Sequence, residues 1–449
     1  MKRIISFLKT DVKIINSYFL LAVIFIILIS IGYSSYALFS FTKTSSNVIE
    51  GKVGEIKNNI DTSGANAPVL ASNMIPVYYD ETVETWKKAD IKNGKTNPWY
   101  SYSSTGEYKG MWANAVTVKD TNRQTYLNAT PGTIIPMDDI TTMWVWIPRF
   151  NAVTPSNYNG GTQVKPNAID VAFVKQNETA IDAFIFGTKQ LSGFWYGKFE
   201  TSHTTLVANS TFNNLGCSNE TCNNANGIII KPNVTSLMRN NVSNFFFASR
   251  SMEQPNNSFG FVSAEVDTHM SKNNEWGAVA YLTQSIYGRC INSTSCTEVG
   301  INNKQGIITG YGAPAGSDKT VANGTYNTTL GKDASTTGNI YGIYDMSGGA
   351  WDYVMGSYSK TIGSSGFTSS TFPNDKYFNN YTTSSYQGHA LTETNGWYND
   401  NFGIVVSSSP WFSRGSQYSN STSAGVFSSY PQNGTAYSNI SARFTFTNE

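Results

Sequence analysis

The chain is poor in charge. Asp, Glu, Lys and Arg make up 14% of its 449 residues, against roughly a quarter in an ordinary soluble domain. The two signs nearly cancel, with 31 basic and 30 acidic residues and a formal net charge of +1, so the balance offers no basic footprint and nucleic acid is excluded as a partner. Histidine is scarcer still. His203, His269 and His389 are the only three, none in an H-x-x-x-H spacing, and each reads as a structural histidine. No Ser-His-Asp constellation has motif support and no glycine-rich phosphate loop occurs. There are four cysteines and none follows Cys296. What abounds is aromatic: 26 Tyr, 25 Phe and 10 Trp in a chain that is 40% hydrophobic. That rules out disorder through lack of apolar groups and supplies a large core.

One long apolar run stands out. Lys2, Arg3, Lys9 and Lys13 precede an uncharged stretch over residues 14–42, almost wholly apolar between 18 and 31. About 20 apolar residues span a bilayer as a helix. The run predicts a transmembrane signal anchor over 14–38 that takes the membrane as partner. Residues 1–13 are then cytoplasmic by the positive-inside rule, and the rest of this single-pass cell-membrane protein is extracellular. The alternative is a signal peptide cut near Ala37, giving a secreted chain. Residues 39–66 read as a polar stalk or linker. Export fits the cysteines. Cys217 and Cys222, and Cys290 and Cys296, sit in Asn/Ser/Thr-rich loops and predict two local disulfides, with a four-thiolate zinc site as the rival.

Along the remainder, aromatic and β-branched runs at 74–81, 99–102 and 111–118 predict a β-rich N-terminal region over 67–140. Strands are expected at 143–150 and 192–202. Helices are expected at 170–184, within 234–252 and within 273–288, where Trp276, Val279, Ala280 and Leu282 fall at helical spacing. Beyond lie long Gly/Ser/Thr/Asn/Tyr-rich loops with short strands and no fixed-period repeat. The class is α+β.

Five segments, in order, resemble the formylglycine-generating (sulfatase-modifying) enzyme family. They are MWVWIPRF (143–150); FWYGKFETS (194–202), with Glu200 in an acidic place; EWGAVAYLTQSIYG (275–288); NIYGIYDMSGGAWDYVMG (339–356); and WFSRGSQYSN (411–420), closing with SARF (441–444). The resemblance implies a C-type-lectin-like fold of the formylglycine-generating-enzyme type over 141–449. The enzymes of that family work through a C-terminal cysteine pair that binds copper. This chain has no such pair, and Cu(I) calls for soft thiolate ligands. The resemblance is therefore to a non-catalytic branch, with no catalytic residue assigned and no cofactor required. The family's calcium-binding Asn is replaced by Gly349, and Asp352 stands where the family has Glu. Asp352 thus remains the candidate for a weakened calcium site.

Between the anchors Arg414-Gly415 and Arg443-Phe444 the chain is filled with Ser, Asn, Tyr and Thr, residues that make adaptable contacts at low entropy cost, as in antibody loops. The stretch resembles the retroelement-diversified variable regions of lectin-fold proteins. The competing explanation is that Asn and Tyr are abundant throughout this chain. Gln417, Tyr418, Asn420, Tyr430, Asn433, Tyr437 and Asn439 are the candidate ligand-binding residues. Trp397 and Tyr398, in NGWYNDN, join them as rings expected at the surface, whereas Trp351 and Trp411 are expected in the core. The function expected is a membrane-anchored, surface-displayed binding or adhesion protein with an unknown protein or glycan ligand outside the cell. The alternatives are a sulfatase-modifying-type oxidoreductase relative and a structural subunit of a surface appendage.

Overall fold

The computed structural model describes residues 64–91, 98–206 and 215–448. In chain order the elements that carry the fold begin with β1 (Ile75–Asp80), β2 (Thr85–Lys88), β3 (Asn114–Val118), α1 (Asp120–Asn128), β4 (Ile140–Pro148) and β5 (Gly193–Gly197). Then come α2 (Val242–Ser251), β6 (Val266–Met270) and α3 (Asn273–Thr283). The last third supplies β7 (Trp351–Tyr358), β8 (Asn379–Tyr381), β9 (Trp411–Arg414), β10 (Ser429–Gln432), β11 (Ile440–Ala442) and β12 (Phe444–Asn448).

Seven strands form an antiparallel sheet in the order β6-β12-β5-β4-β3-β1-β2. The strands at 75–118 are therefore members of the same sheet as β4 and β5. The C-terminal strand β12 threads between β6 and β5. Runs such as MWVWI in β4 and FWY in β5 lack polar alternation because the sheet is buried on both faces. Trp144, Trp146, Trp195 and Tyr196 are all fully covered. Trp146 lies opposite Trp195 with ring centroids 5.4 Å apart, and Trp144 meets Phe446 at 4.9 Å. Gly193 is required here, since a Cβ at that position would come within 2.4 Å of the Trp146 ring. A second sheet runs β8-β7-β9-β10, with β11 alongside the first half of β7.

The two sheets share one joint. β11 belongs to the small sheet and β12 to the large one, and the residue between them is Arg443. Its buried guanidinium donates to Asp352 Oδ2 at 2.8 Å, to Gly197 O at 3.3 Å and to Tyr344 O at 2.6 Å. The Trp276 ring of α3 lies against it, with Arg414 a second guanidinium over the same ring, at 5.9 and 5.6 Å respectively. Trp276 Nε1 donates to Val426 O at 2.8 Å.

Several expectations need correction. The fold class is strand-dominated with few, short helices, and among the described residues no helix is long and apolar enough to cross a membrane. The segment 1–13, the anchor expected over 14–38 and most of the stalk expected over 39–66 lie outside the described residues. The transmembrane architecture and the single-pass cell-membrane localisation are therefore unsupported. The helix expected at 170–184 is absent: Val171–Phe173 pairs as a strand with Phe150–Ala152, and only Asp182–Phe184 makes a single 3-10 turn. The period-two alternation of buried Ile169 and Val171 and half-buried Phe173 with exposed Asp170 and Ala172 decided the outcome. The aromatics at 99–102 plug the core from irregular chain, Trp99 Nε1 donating to Asn114 O and Tyr102 Oη to Trp146 O. Both expected disulfides are formed, Cys217–Cys222 and Cys290–Cys296.

Replacing Arg443 with Met should cost about 3–5 kcal/mol in urea unfolding, because Asp352 is left buried without its counter-charge. The double variant R443M/D352N should recover part of that loss. Equal stability of R443M and the parent would remove the joint from the account.

Candidate functional site

Strand pairing lays a row of side chains across the outer face of the small sheet. Tyr353, Ser413 and Tyr430 stand opposite one another on β7, β9 and β10. Tyr353 is covered, its hydroxyl donating to Thr435 O at 2.7 Å. Tyr430 is 46% exposed and its ring packs against Trp351 at 5.9 Å. Three loops border this pair. Tyr418 N donates to Gly349 O and Trp351 N to Asn439 O, each at 2.9 Å. Asn439 Nδ2 donates to Gln417 Oε1 at 2.9 Å. Gln417 N donates to Asn420 Oδ1 at 2.9 Å, so the Asn420 amide braces the turn. Beside them Asn433 Oδ1 accepts from Thr435 N and from the Tyr437 hydroxyl, at 3.1 and 3.3 Å. Asn433 O accepts from Ser364 N and Tyr437 O from Arg239 N.

The structure thus brings Gln417, Tyr418, Asn420, Tyr430 and Asn439 around Trp351, with Asn433 and Tyr437 on the adjoining loop. All but Tyr430 are half-buried. From 415 to 442 the sequence holds no Asp, Glu, Lys or Arg. The face offers rings, amides and hydroxyls without formal charge.

Trp397 and Tyr398 do not join it. Both rings are buried, against the expectation of exposure. They pack on Phe427 at 5.1 and 6.5 Å, and the Tyr398 hydroxyl bonds the Gln284 amide. The polar neighbours in NGWYNDN concealed this, because a left-handed Gly396 and a positive φ at Tyr398 turn the two rings inward. Trp411 is fully buried as expected. Trp351 is likewise buried as expected and packs against Tyr430. Gln432, on the same strand as Tyr430, was missed; its signal was the alternation in YPQ, too short to read without the pairing.

Beneath the face lies the charged joint. Glu200 reaches under Gly349 and accepts from Ala350 N at 2.8 Å; a Cβ at Gly349 would sit 2.4 Å from Glu200 Oε1. The carboxylate has taken the space that a larger residue needs. Glu200, Asp345 and Asp352 share the single guanidinium of Arg443. Burial, then the Asp352 and Asp345 charges, push Glu200 well above the usual carboxylate range. Its Oε2 accepts from Ser236 Oγ. Burial likewise raises Asp352 to about 7 against the pull of Arg443. Asp352, the candidate calcium ligand, faces a guanidinium. Among the described residues no group of three His, Cys, Asp or Glu is arranged to hold a metal ion.

Asp400 supports the 425–427 loop from within. Its Oδ2 accepts from Phe427 N at 2.9 Å, and Gly425 leaves room for the carboxylate, 2.1 Å from where a Cβ would stand. Burial raises its pKa to about 8.

No family model and no curated protein matches the chain. Kinship with the formylglycine-generating family thus has no family-level support. Among solved structures the chain is similar to Treponema denticola variable protein 1, at 11% identity and a TM-score of 0.26, covering 68% of this chain and 95% of that one. It is similar also to the I1 and P3c variants of Major Tropism Determinant. Each shares 12% identity and a TM-score of 0.26, over 86% of this chain and 98% of the other. TM-scores of this size establish no common fold, and the functional reading rests on the geometry of the face.

The raised Asp400 has a testable sign. The folded chain holds a proton there that the unfolded chain releases above about pH 4, so this contribution to stability is full below that and is lost as pH rises towards about 8. The slope is at most about 1.4 kcal/mol per pH unit. Urea midpoints of D400N at pH 5 and pH 8 should lie closer together than those of the parent. An unchanged gap would show that Asp400 titrates normally.

Proposed function

We infer that the chain is an exported, non-catalytic binding protein of C-type-lectin-like type, which holds an external protein or glycan through the uncharged face around Trp351 and Tyr430. The observation that carries the reading is the gathering of five tyrosine and amide residues, Gln417, Tyr418, Asn420, Tyr430 and Asn439, about Trp351, their loops tied by hydrogen bonds before any ligand arrives. Tyrosine offers a large ring with few rotors and a polar tip, and Asn and Gln offer donor and acceptor together. Pre-set loops reduce the ordering cost of association. Rings with amides beside them suit a sugar face or a protein surface equally, and the absence of charge leaves shape and hydrogen bonding to set affinity.

Two further facts support the reading. All four cysteines are paired within their own loops, with no free thiol among the described residues, as in proteins of oxidising compartments. The pairing leaves no thiolate of the kind a Cu(I) site uses among the described residues. Trp397 and Tyr398 contribute from below, by fixing Phe427 and hence the loop that leads into β10.

Arrays of glycans and of cell-surface proteins test this. Y418A/Y430A should lose at least about tenfold in binding to whatever the parent captures, because buried tyrosine contacts are typical hot spots, with its unfolding midpoint close to the parent's. W397A should instead lose about 3–5 kcal/mol of stability. Between about 0.05 and 0.5 M salt the affinity should change little, since no exposed charge is there to be screened. Full binding by a folded Y418A/Y430A variant would move the site elsewhere.

A further inference from the structure

Two short loops hold an asparagine side chain in the same way. In Asn219-Glu220-Thr221 the asparagine Oδ1 accepts from Thr221 N at 2.9 Å and from the Thr221 hydroxyl at 2.8 Å. In Asn292-Ser293-Thr294 the Oδ1 accepts from Thr294 N at 3.0 Å and from the Thr294 hydroxyl at 3.2 Å. Both donors come from the residue two places on, which closes the turn and fixes the carboxamide by its oxygen. The Nδ2 of each has no partner among the described residues. Both asparagines and both threonines are exposed.

Each turn lies inside a disulfide loop, Cys217–Cys222 enclosing the first and Cys290–Cys296 the second. The ends of the first loop are tied to α2, Cys217 N donating to Asn244 Oδ1 at 2.8 Å and Cys222 N to Ser251 Oγ at 2.9 Å. The second is a hairpin in which Cys290 pairs with Cys296 and Asn292 with Ser295. Both asparagines are therefore presented to solvent from fixed bases.

Asn-x-Thr is the acceptor pattern for N-linked glycans, which are carried on the surface loops of exported chains, as disulfides are. The reacting atom is the side-chain nitrogen. A transferase has to reach it from outside, so an amide nitrogen engaged or covered by the fold is lost as an acceptor.

The chain supplies two comparisons. Asn177-Glu178-Thr179 repeats the triplet of the first loop and is exposed, but no bond joins its hydroxyl to its amide. Asn241-Val242-Ser243 has the bond, Ser243 Oγ donating to Asn241 Oδ1 at 3.0 Å, but this oxygen also caps α2 by accepting from Asn244 N at 3.0 Å. Its Nδ2 is shut in, since a Cβ at Gly366 would stand 2.3 Å from it. Among the described N-x-S/T asparagines, only Asn219 and Asn292 combine the bonded hydroxyl with exposure.

We propose that Asn219 and Asn292 are N-glycosylation sites, each taking an oligosaccharide from a lipid pyrophosphate donor. The bond from Nδ2 to the sugar C1 forms as the C1–O bond to the pyrophosphate breaks. The lipid pyrophosphate leaves with the bonding electron pair, and one amide proton passes to a base of the transferase. The Thr221 and Thr294 hydroxyls are positioning groups that orient the carboxamide.

Transfer to the full chain, purified unglycosylated with its disulfides intact, tests it. The probe is an oligosaccharyltransferase that accepts N-x-S/T, with its lipid-linked oligosaccharide, and peptide masses report each asparagine separately. Asn219 and Asn292 should be modified in the folded chain. Asn177 should react roughly tenfold more slowly than Asn219 despite the identical triplet, the worth of one hydrogen bond. Asn241 should react only after reduction and unfolding, which should also abolish the advantage of Asn219 over Asn177. No transfer to either loop of the folded chain, an Asn177 as fast as Asn219, or a preference for Asn219 that survives reduction and unfolding would each overturn the proposal.

Discussion

A single buried guanidinium joins the two sheets. Arg443 sits in the one-residue step between β11 and β12 and reaches strands of both sheets, through Asp352 on β7 and Gly197 on β5. Taking a guanidinium and several carboxylates out of water is expensive, and only dense hydrogen bonding offsets it. That cost is why the surroundings are so constrained: Trp276 packs against both Arg443 and Arg414, Glu200 is held beneath Gly349, and the 411–444 stretch has little freedom to depart from the sheet. The ligand face is rigid because its lower surface is this joint.

From there the chain of causes runs outward. Gly349 admits the Glu200 carboxylate, and the backbone so shaped offers Gly349 O to Tyr418 N. Trp351, one residue beyond Ala350, supports Tyr430. Asp400, Trp397 and Tyr398 hold the loop before β10 from the inside. Residues that carry charge are buried and structural, while residues that meet solvent on the face are neutral. Architecture and recognition are thereby assigned to different chemistries.

Much of this was legible in the sequence, but unevenly. The aromatic strands 143–150 and 192–202, the helix around Trp276 and the motif residues Arg414 and Arg443 were each visible as anchors, and the two disulfides followed from local spacing. Their chemistry was not visible. Asp352 and Arg443 are 91 positions apart and Asp182 and His389 are 207 apart, so no local pattern joins a carboxylate to its partner. Asp352 accordingly read as a metal ligand and His389 as an isolated histidine. Burial was misread where polar neighbours surround a ring, as at Trp397 and Tyr398, and the helix expected at 170–184 gave way to period-two packing. The tyrosines and amides of 417–439 were legible as a set, because composition survives without topology. That five of them gather about Trp351 needed the register of β7, β9 and β10.

The central claim is that this face is fixed in advance by its backbone contacts to the joint. Native-state hydrogen exchange at the amides of Trp351 and Tyr418 tests it most directly. The account predicts that both exchange as slowly as the amides of β7, through opening of the whole module. Exchange of either at the rate of an open loop, while β7 stays protected, would contradict it.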